Sequence, residues 1–194
     1  MSAPPSGTAT VRAFLAVPVP EAARAGIADA CGRLGRCLPG VRFGSAEQVH
    51  VTLHFFAALD PDGVAGVQAA ARAGASRVAP YRMGLAGAGA FPDPRRARVL
   101  WLGIRPGADE TARLAAEVGA ALRERGLPVE DRPFRAHVTL ARLREPHPGV
   151  AAALDAGRAV TIDPFDVARL VLFRSELSPR GAVHTEIGSY PLGG

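Results

Sequence analysis

The sequence predicts an α+β fold made of two similar lobes, in which two mainly antiparallel sheets face a central groove and the helices lie outside. Short apolar, β-branched segments alternate with longer segments of helical periodicity. The order strand–helix–strand–helix occurs twice along the 194 residues. One strand-like segment, His-Val-Thr-Leu, also occurs twice, at residues 50–53 and 137–140. Together these three observations indicate a duplicated fold with pseudo-two-fold symmetry.

The two copies of His-Val-Thr-Leu belong to a longer internal repeat. They lie 87 positions apart (137 − 50). The same shift places Phe14 on Trp101 and Pro61 on Pro148. A duplication explains these matches together and brings two equivalent strands to one site. We expect a single bilobal domain over residues 1–194, with the repeat at about residues 11–78 and 98–156.

The predicted elements follow from periodicity and from turn residues. In the first half we expect strands at residues 11–17, 49–56 and 81–86, and helices at 21–38 and 61–79, with Asp60 capping the second helix and a loop at 87–94. In the second half we expect strands at 98–104, 137–142, 167–173 and 182–187, and helices at about 109–125 and 148–156. A hairpin through residues 178–181 joins the last two strands, and residues 1–9 form a flexible tail.

Composition sets broad limits on function. The net charge is +5 and the isoelectric point about 10.4, which agrees with an anionic partner. All 23 basic residues are arginine, and with abundant Ala, Gly and Pro this indicates GC-rich coding as much as phosphate binding. Cys31 and Cys37 are spaced neither as a zinc knuckle nor as a redox pair. With no signal pattern and no apolar run of about 20 residues, we expect a soluble, cytoplasmic protein.

Each repeated strand offers an imidazole beside a hydroxyl. Residues two apart on a strand share a face, so His50 lies beside Thr52, and His137 beside Thr139. With a pKa near 6.5, one neutral ring can take a proton from a nucleophile while a charged ring gives one to a leaving group. The hydroxyls can donate to oxygens that gain charge. This set suits hydrolysis of a phosphodiester, and cyclic phosphates in particular.

A metal site is the competing chemistry. His54 is predicted on the face of His50, but about 13 Å from it along a regular strand, so the two could not share one ion. His50 and His137 could share one, but a third ligand is missing from the predicted polar faces. We therefore expect no metal and no cofactor, and a groove-lining, substrate-binding role for His54. A single His-x-Thr strand alone would more simply be structural.

At these residues the chain resembles the two-histidine (2H) phosphoesterases, and within them the LigT-like RNA 2′,3′-cyclic phosphodiesterases. Their signature is a pair of His-x-Thr-x motifs, and the resemblance runs from about Val11 to Leu192. It includes the segments at residues 12–17, 91–92, 98–101, 132–134 and 140–142. The family often has tryptophan where Phe43 stands and proline where Ala136 stands.

The resemblance implies metal-free hydrolysis of a terminal ribose 2′,3′-cyclic phosphate to a 2′-phosphate. It implies that His50 is the proton donor and His137 the proton acceptor, with RNA, including tRNA fragments, as the partner of a monomeric enzyme. Reverse 2′,5′ ligation is reported for some relatives. Arg135, two residues before His137, is expected to contact phosphate. Phe91 is expected to contact substrate, and the arginines beside it either guide RNA or form a solvated edge: Arg95, Arg96 and Arg98.

Two alternatives stay open. One is a phosphodiesterase for another small cyclic nucleotide or a 2′,5′-oligonucleotide. The other is an RNA-binding domain that has lost catalysis, although binding alone would require none of the four His and Thr residues.

Overall fold

A computed structural model describes residues 10–178 and 181–194 of the chain. The predicted flexible tail and the hairpin residues Pro179 and Arg180 lie outside the described residues. The first part of the chain forms β1 (Val11–Pro18), α1 (Glu21–Gly35), η1 (Ala46–Gln48), β2 (His50–Leu59), α2 (Pro61–Ala75) and β3 (Tyr81–Phe91). The second part forms η2 (Pro94–Arg96), β4 (Val99–Ile104), α3 (Ala108–Arg123), β5 (His137–Arg142), α4 (Val150–Gly157), β6 (Thr161–Val167), β7 (Arg169–Ser178) and β8 (Gly181–Pro191).

The strands form two four-stranded sheets, and every pairing in them is antiparallel. Sheet A has the order β2-β1-β7-β8, and sheet B has the order β5-β4-β3-β6. The edge strands β2 and β5 approach each other. Near them, the amide of Gly44 donates to the carbonyl of Leu140 at 2.8 Å, and Phe43 forms an isolated bridge with Ala141. The α+β fold with two antiparallel sheets is therefore confirmed.

The two halves of the chain exchange strands. Helices α1 and α3 begin at Glu21 and Ala108, which are 87 positions apart, and β1 and β2 correspond in the same way to β4 and β5. After α2, however, the chain leaves sheet A, and β3 pairs with β4 and β6 in sheet B. In return, β7 from the second half pairs with β1 in sheet A. Neither sheet is made from one half alone.

The helices pack on the outer faces of the sheets. Helices α2 and α3 meet where Gly74 approaches Val118, and a Cβ on that glycine would lie 2.7 Å from the Cα of Val118. Helix α1 reaches sheet B, where Gly26 faces Ile162 of β6. Alternate residues of the central strands β1 and β4 are buried beneath these helices: Ala13, Leu15 and Val17, and Leu100, Leu102 and Ile104. The other faces of the sheets remain available for the groove.

Strand β3 is longer than the sequence predicts. The predicted loop at residues 87–94 begins instead as the second half of this strand. Gly87, with φ of 68°, lies at a bulge where the register with β4 shifts. Gly89 lies flat against Trp101, and a Cβ there would be 2.0 Å from the indole ring. Gly87 allows the bulge, and Gly89 allows the close approach of Trp101. Glycine content alone does not distinguish such a strand from a turn.

The remaining differences concern element ends and one additional strand. Strand β6 is absent from the sequence-based prediction; it contains Pro164 and lies at the edge of sheet B, where proline is tolerated. The predicted strand at 167–173 is divided, because Val167 ends β6 and Arg169 begins β7. Helix α1 ends at Gly35, earlier than expected. Within the described residues, no helix combines the length and the apolar character needed to cross a membrane.

Candidate active site

Both His-x-Thr strands contain a β-bulge at the same place. In β2, Thr52 lies opposite Ala16 and His54 lies opposite Leu15, so that Leu53 is the extra residue. In β5, Leu140 is the extra residue between Thr139 and Ala141. A bulge reverses the face on which the following side chains lie. The histidine and threonine before each bulge therefore lie on the groove face, whereas the residues after it no longer lie on the faces that simple alternation assigns.

His54 is consequently not a groove residue, and the prediction of a substrate-binding role for it is corrected. The bulge turns its side chain to the helix side of sheet A, where the ring nitrogen Nε2 lies 2.8 Å from the carbonyl oxygen of Ala115 in α3. Its Cε1 atom would lie 3.2 Å from a Cβ added to Gly119. Burial lowers the pKa of His54, with a smaller contribution from Arg123. The ring joins β2 to α3 as a structural contact.

His50 has one nitrogen fixed and one free. Its Nδ1 lies 2.7 Å from the carbonyl oxygen of Gln48. Because a carbonyl only accepts, Nδ1 carries the proton, and Nε2 is left for chemistry. The ring stacks on Phe14, with centroids 4.6 Å apart, and meets the edge of His184 at 5.5 Å. These contacts hold the imidazole against sheet A.

His137 repeats this arrangement on sheet B. Its Nδ1 lies 2.6 Å from the carbonyl oxygen of Arg135, which is the residue 87 positions after Gln48. The tautomer is therefore fixed in the same way, and again Nε2 is free. The ring meets Phe91 edge-on at 5.0 Å and lies 6.3 Å from Trp101. Two equivalent imidazoles thus stand on the two neighbouring edge strands.

Burial lowers the pKa of both histidines. For His50 the pKa falls to about 4, mainly through desolvation. The bond to Gln48 opposes this fall, and the charge of His184 adds a smaller lowering of the pKa. For His137 desolvation again dominates, and the bond to Arg135 raises the pKa while the charge of Arg142 lowers it. In the unliganded protein the His50 ring is therefore neutral at pH 7, and a proton on its Nε2 needs an anion nearby to stabilise it.

The threonines lie where the sequence predicts, beside their histidines. Thr52 faces the groove with His50, and Thr139 faces it with His137, because each pair precedes its bulge. Both are half-buried. Among the described residues, neither hydroxyl forms a hydrogen bond with another protein group, so both can donate to a ligand.

Arg135 and Phe91 come together beside His137. The guanidinium carbon of Arg135 lies 5.8 Å from the centre of the Phe91 ring, a cation–π contact. The side chain of Arg135 is exposed, and its backbone carbonyl fixes His137. The neighbouring arginines have structural partners. Arg96 pairs with Asp93 at 2.9 Å, and the Arg98 guanidinium donates to the carbonyl of Arg144. These two arginines therefore support the adjoining loops.

Two groove residues escaped the sequence-based prediction. Arg142 follows the bulge in β5 and lies opposite Val99, which places it on the face of His137. His184 lies on β8, and its ring meets both Phe14 and His50 edge-on. Simple alternation along β5, without the bulge, would place Arg142 on the face opposite His137. His184 carries no local signal, since only the pairing of β7 with β8 brings it to the site.

Across residues 10–178 and 181–194, no three side chains of His, Cys, Asp or Glu are arranged to hold a metal ion. The groups that converge at this site are imidazoles, hydroxyls and guanidiniums, which suit an anionic ligand. The arrangement can move a proton at two points and bind a negatively charged group between them.

Comparison with protein families gives a match over most of the chain. The profile of the family described as LigT like Phosphoesterase matches residues 17–101 and, separately, residues 102–184. Each match contains one His-x-Thr motif.

Individual relatives and solved structures agree with this match. The chain is 32% identical over 190 residues to an RNA 2′,3′-cyclic phosphodiesterase of Thermus thermophilus, covering 95% of this chain and 91% of that protein. It is 28% identical over 177 residues to a protein of the same name from Archaeoglobus fulgidus, covering 91% and 98%. A crystal structure of a Thermus thermophilus protein superimposes with a TM-score of 0.78 at 30% identity, covering 94% of this chain and 98% of that one. The structure of E. coli LigT complexed with NADP+ gives 0.68 at 25% identity, covering 95% and 98%.

Proposed function

Because this chain belongs to the LigT-like phosphoesterase family, we propose that it hydrolyses a terminal 2′,3′-cyclic phosphate of RNA to a 2′-phosphate by paired-histidine acid–base catalysis. One observation carries the proposal. His50 and His137 stand on neighbouring edge strands, and each has Nδ1 bound to a backbone carbonyl and Nε2 free. The names of the relatives from Thermus and Archaeoglobus supply the substrate class.

The reaction needs one base and one acid. Nε2 of His137 takes a proton from a water molecule, whose oxygen forms a new bond to phosphorus. The bond between phosphorus and the ribose 3′ oxygen breaks, and Nε2 of His50 gives its proton to that oxygen. The product is a 2′-phosphate with a free 3′-hydroxyl. Solvent then returns a proton to His50 and removes one from His137.

The donor role of His50 depends on the substrate itself. Burial makes this ring neutral at pH 7 when the groove is empty. A cyclic phosphate carries one negative charge, and a nearby anion raises the pKa of an imidazole. We therefore propose that His50 takes up its proton together with the substrate. The carbonyl of Gln48 supports this, because it accepts from Nδ1 in both the neutral and the charged ring.

Three further groups complete the proposed site. The hydroxyls of Thr52 and Thr139 donate to the two non-bridging phosphate oxygens, where negative charge grows in the transition state. The guanidinium of Arg142 lies near enough to lower the pKa of His137 and adds a positive charge for the phosphate. Arg135 and Phe91 offer a cation and an aromatic face beside the same imidazole. We propose that these two contact the terminal nucleotide.

The proposed substrate is an RNA end, with cytoplasmic tRNA fragments as one source. A monomer suffices, because one chain supplies both histidines. Joining a 2′,3′-cyclic end to a 5′-hydroxyl follows the same course, with the 5′-hydroxyl in place of water: its oxygen bonds to phosphorus, the 3′ oxygen leaves, and a 2′,5′ bond results. Weak ligation therefore follows from the proposal. A small cyclic nucleotide or a 2′,5′-oligonucleotide remains the alternative substrate.

The test is incubation of the protein with an oligonucleotide ending in a 2′,3′-cyclic phosphate, in the presence of a strong chelator. We expect full activity and a 2′-phosphate as the only product isomer, identified by chromatography against both standards. A 3′-phosphate product would show that the 2′ oxygen, and not the 3′ oxygen, is the leaving group. Loss of activity on chelation with recovery on added zinc or manganese would contradict acid–base catalysis by histidine alone. Faster turnover of a 2′,5′-oligonucleotide would favour the alternative substrate.

A further inference from the structure

A cavity of about 460 Å³ lies at the end of β5, next to the proposed active site. One wall is the segment that follows α1, and the other is the segment that follows β5. The residues that line it from the two walls include Val41 and Arg42, and Arg142, Arg144, Glu145 and His147. The two walls are not equivalent segments of the repeat. Among the residues that line them, only Arg142 also belongs to the proposed catalytic site.

The charge of this cavity is strongly unbalanced. Three guanidinium groups face one carboxylate, that of Glu145. In the described part of the chain, none of Arg42, Arg142 and Arg144 forms an ion pair, whereas arginines elsewhere on the surface do, such as Arg158 with Asp155 at 2.9 Å. Unpaired guanidiniums around a concave surface make a site for an anion that accepts two hydrogen bonds from one side chain.

The walls of the cavity are held by hydrogen bonds between segments on one side and within a turn on the other. The amide of Leu143 donates to the carbonyl of Arg98 at 2.9 Å, and the Arg98 guanidinium donates back to the carbonyl of Arg144. On the other wall, the amide of Val41 donates to the carbonyl of Leu38 at 3.1 Å. The loops therefore have a defined shape before a ligand arrives, which lowers the entropy cost of binding.

Arg142 connects the cavity with the histidine pair. It lies on the same face of β5 as His137, and its charge acts on that ring. A ligand whose terminal phosphate stands between the histidines can therefore continue past Arg142 into the cavity. RNA with a 3′-terminal cyclic phosphate extends from that end only in the 5′ direction, and every further nucleotide adds one phosphodiester with a single negative charge.

We propose that this cavity binds a backbone phosphate of the RNA upstream of the terminal nucleotide, with Arg42 and Arg144 as its principal ligands. This rests on the proposed function and names the part of the substrate that a mononucleotide lacks. The enzyme then favours oligonucleotides over cyclic mononucleotides through this contact, and the preference weakens with salt, because binding a phosphate releases counterions.

The test compares two substrates, cytidine 2′,3′-cyclic phosphate and a tetranucleotide ending in a 2′,3′-cyclic phosphate. We expect Arg42→Ala and Arg144→Ala to lower the ratio of kcat/KM for the tetranucleotide to that for the mononucleotide on the order of tenfold each. The matched control is Arg113→Ala, which removes an exposed arginine on α3, away from the cavity. The control should leave the ratio unchanged. Equal effects on both substrates, or an unchanged ratio in both cavity variants, would overturn the proposal.

A binding measurement separates this proposal from the proposed function. A fluorescent tetranucleotide with a 2′-phosphate end is titrated with each protein by anisotropy at several salt concentrations. We expect each cavity variant to bind more weakly than the Arg113→Ala control, with a salt slope smaller by about 0.7, the value for one contact with a single strand. If the wild-type protein cleaves neither cyclic substrate, the proposed function fails, and this binding experiment still tests the cavity. Equal slopes in cavity and control variants would then reject it.

Discussion

The two histidines have the same backbone environment but different neighbours. Each donates from Nδ1 to a carbonyl two residues earlier. His50 is packed between Phe14 and His184, whereas His137 has Arg142 within electrostatic range. Different neighbours can give the two imidazoles different pKa values, so that one acts as the acid and the other as the base in a site that is otherwise nearly symmetric. Kinetics of single variants can therefore test the two roles independently.

Removal of the proposed acid should be rescued by a better leaving group. We expect His50→Ala to lower the rate with RNA by about 10²–10⁴-fold, the usual contribution of a positioned proton transfer. A substrate whose leaving group is a weakly basic phenolate needs no such proton, so it should restore much of the rate in His50→Ala and much less in His137→Ala. Both variants must first be shown to be folded and to bind the analogue. Rescue of His137→Ala instead would reverse the assignment, and equal behaviour of the two would reject a division into acid and base.

The threonine hydroxyls are predicted to act on the transition state. Valine is nearly isosteric with threonine and suits a strand, so Thr52→Val and Thr139→Val should fold normally. We expect each to lower kcat about 10–10³-fold, judged from the loss of single oxyanion donors. Circular dichroism and thermal melting provide the check on folding. An unchanged rate in both variants would mean that the hydroxyls play no part in catalysis.

At the residue scale, the sequence could predict the strand face of each side chain wherever regular alternation holds. His50, Thr52, His137 and Thr139 occupy the faces that a period of two assigns to them. His54 does not, because one extra residue in the strand reverses every later position. A bulge depends on the register between two strands, and register is a tertiary property.

At the scale of elements, local signals predicted the helices better than the strands. Asp60 caps α2 as expected, with its Oδ1 accepting from the amide of Gly63 at 2.7 Å. Strand β6 shows no clear alternation, and glycines conceal the second half of β3. Capping is a contact between residues three apart, whereas a strand exists only where a partner strand is present.

The glycine at position 89 should be essential to this part of sheet B. A Cβ there would overlap the ring of Trp101, which is the only tryptophan of the chain and lies beside His137. We expect Gly89→Ala to lower the melting temperature and to change the tryptophan fluorescence. The matched control is Gly32→Ala on α1, where a Cβ would meet nothing within 4 Å. Replacing a helical glycine there should stabilise the protein by up to about 1 kcal/mol. Equal effects of the two substitutions would contradict close packing at Gly89.

For the whole molecule, buried histidines should make stability depend on pH. Burial lowers the pKa of His50, His54, His137 and His184 in the folded protein relative to about 6.5 in the unfolded chain. Between these values the unfolded chain binds more protons, so the free energy of unfolding is highest above pH 6.5 and falls as the pH decreases. For His50, with a folded pKa of about 4, the loss is on the order of 3 kcal/mol.

Urea denaturation at pH 7.5, 6.0 and 5.0 measures this dependence. We expect stability to fall across the series and to fall less in His54→Gln, in which an amide replaces one buried imidazole. A free energy of unfolding that is constant or rises from pH 7.5 to 5.0 would contradict the lowered pKa values.

The exchange of strands between halves predicts that the chain unfolds as one unit. Strand β3 belongs to the first half of the sequence, yet both of its partners, β4 and β6, come from the second. Strand β1 similarly has β2 on one side and β7 on the other. A fragment of residues 10–92 would leave all of β3 and one side of β1 without backbone partners, at a cost that a half-sized core does not offset.

We therefore propose a single domain and expect the full chain to show one thermal transition, with calorimetric and van't Hoff enthalpies that agree. Fragments 10–92 and 93–194, expressed separately, should each lack a cooperative transition. When mixed, they should form a 1:1 complex with native-like circular dichroism, because the missing partner strands are supplied in trans. If each repeat could still fold alone, as a single ancestral unit would, each fragment would instead melt cooperatively by itself. Cooperative melting of either fragment by itself would show that the exchanged strands are dispensable to the stability of each half.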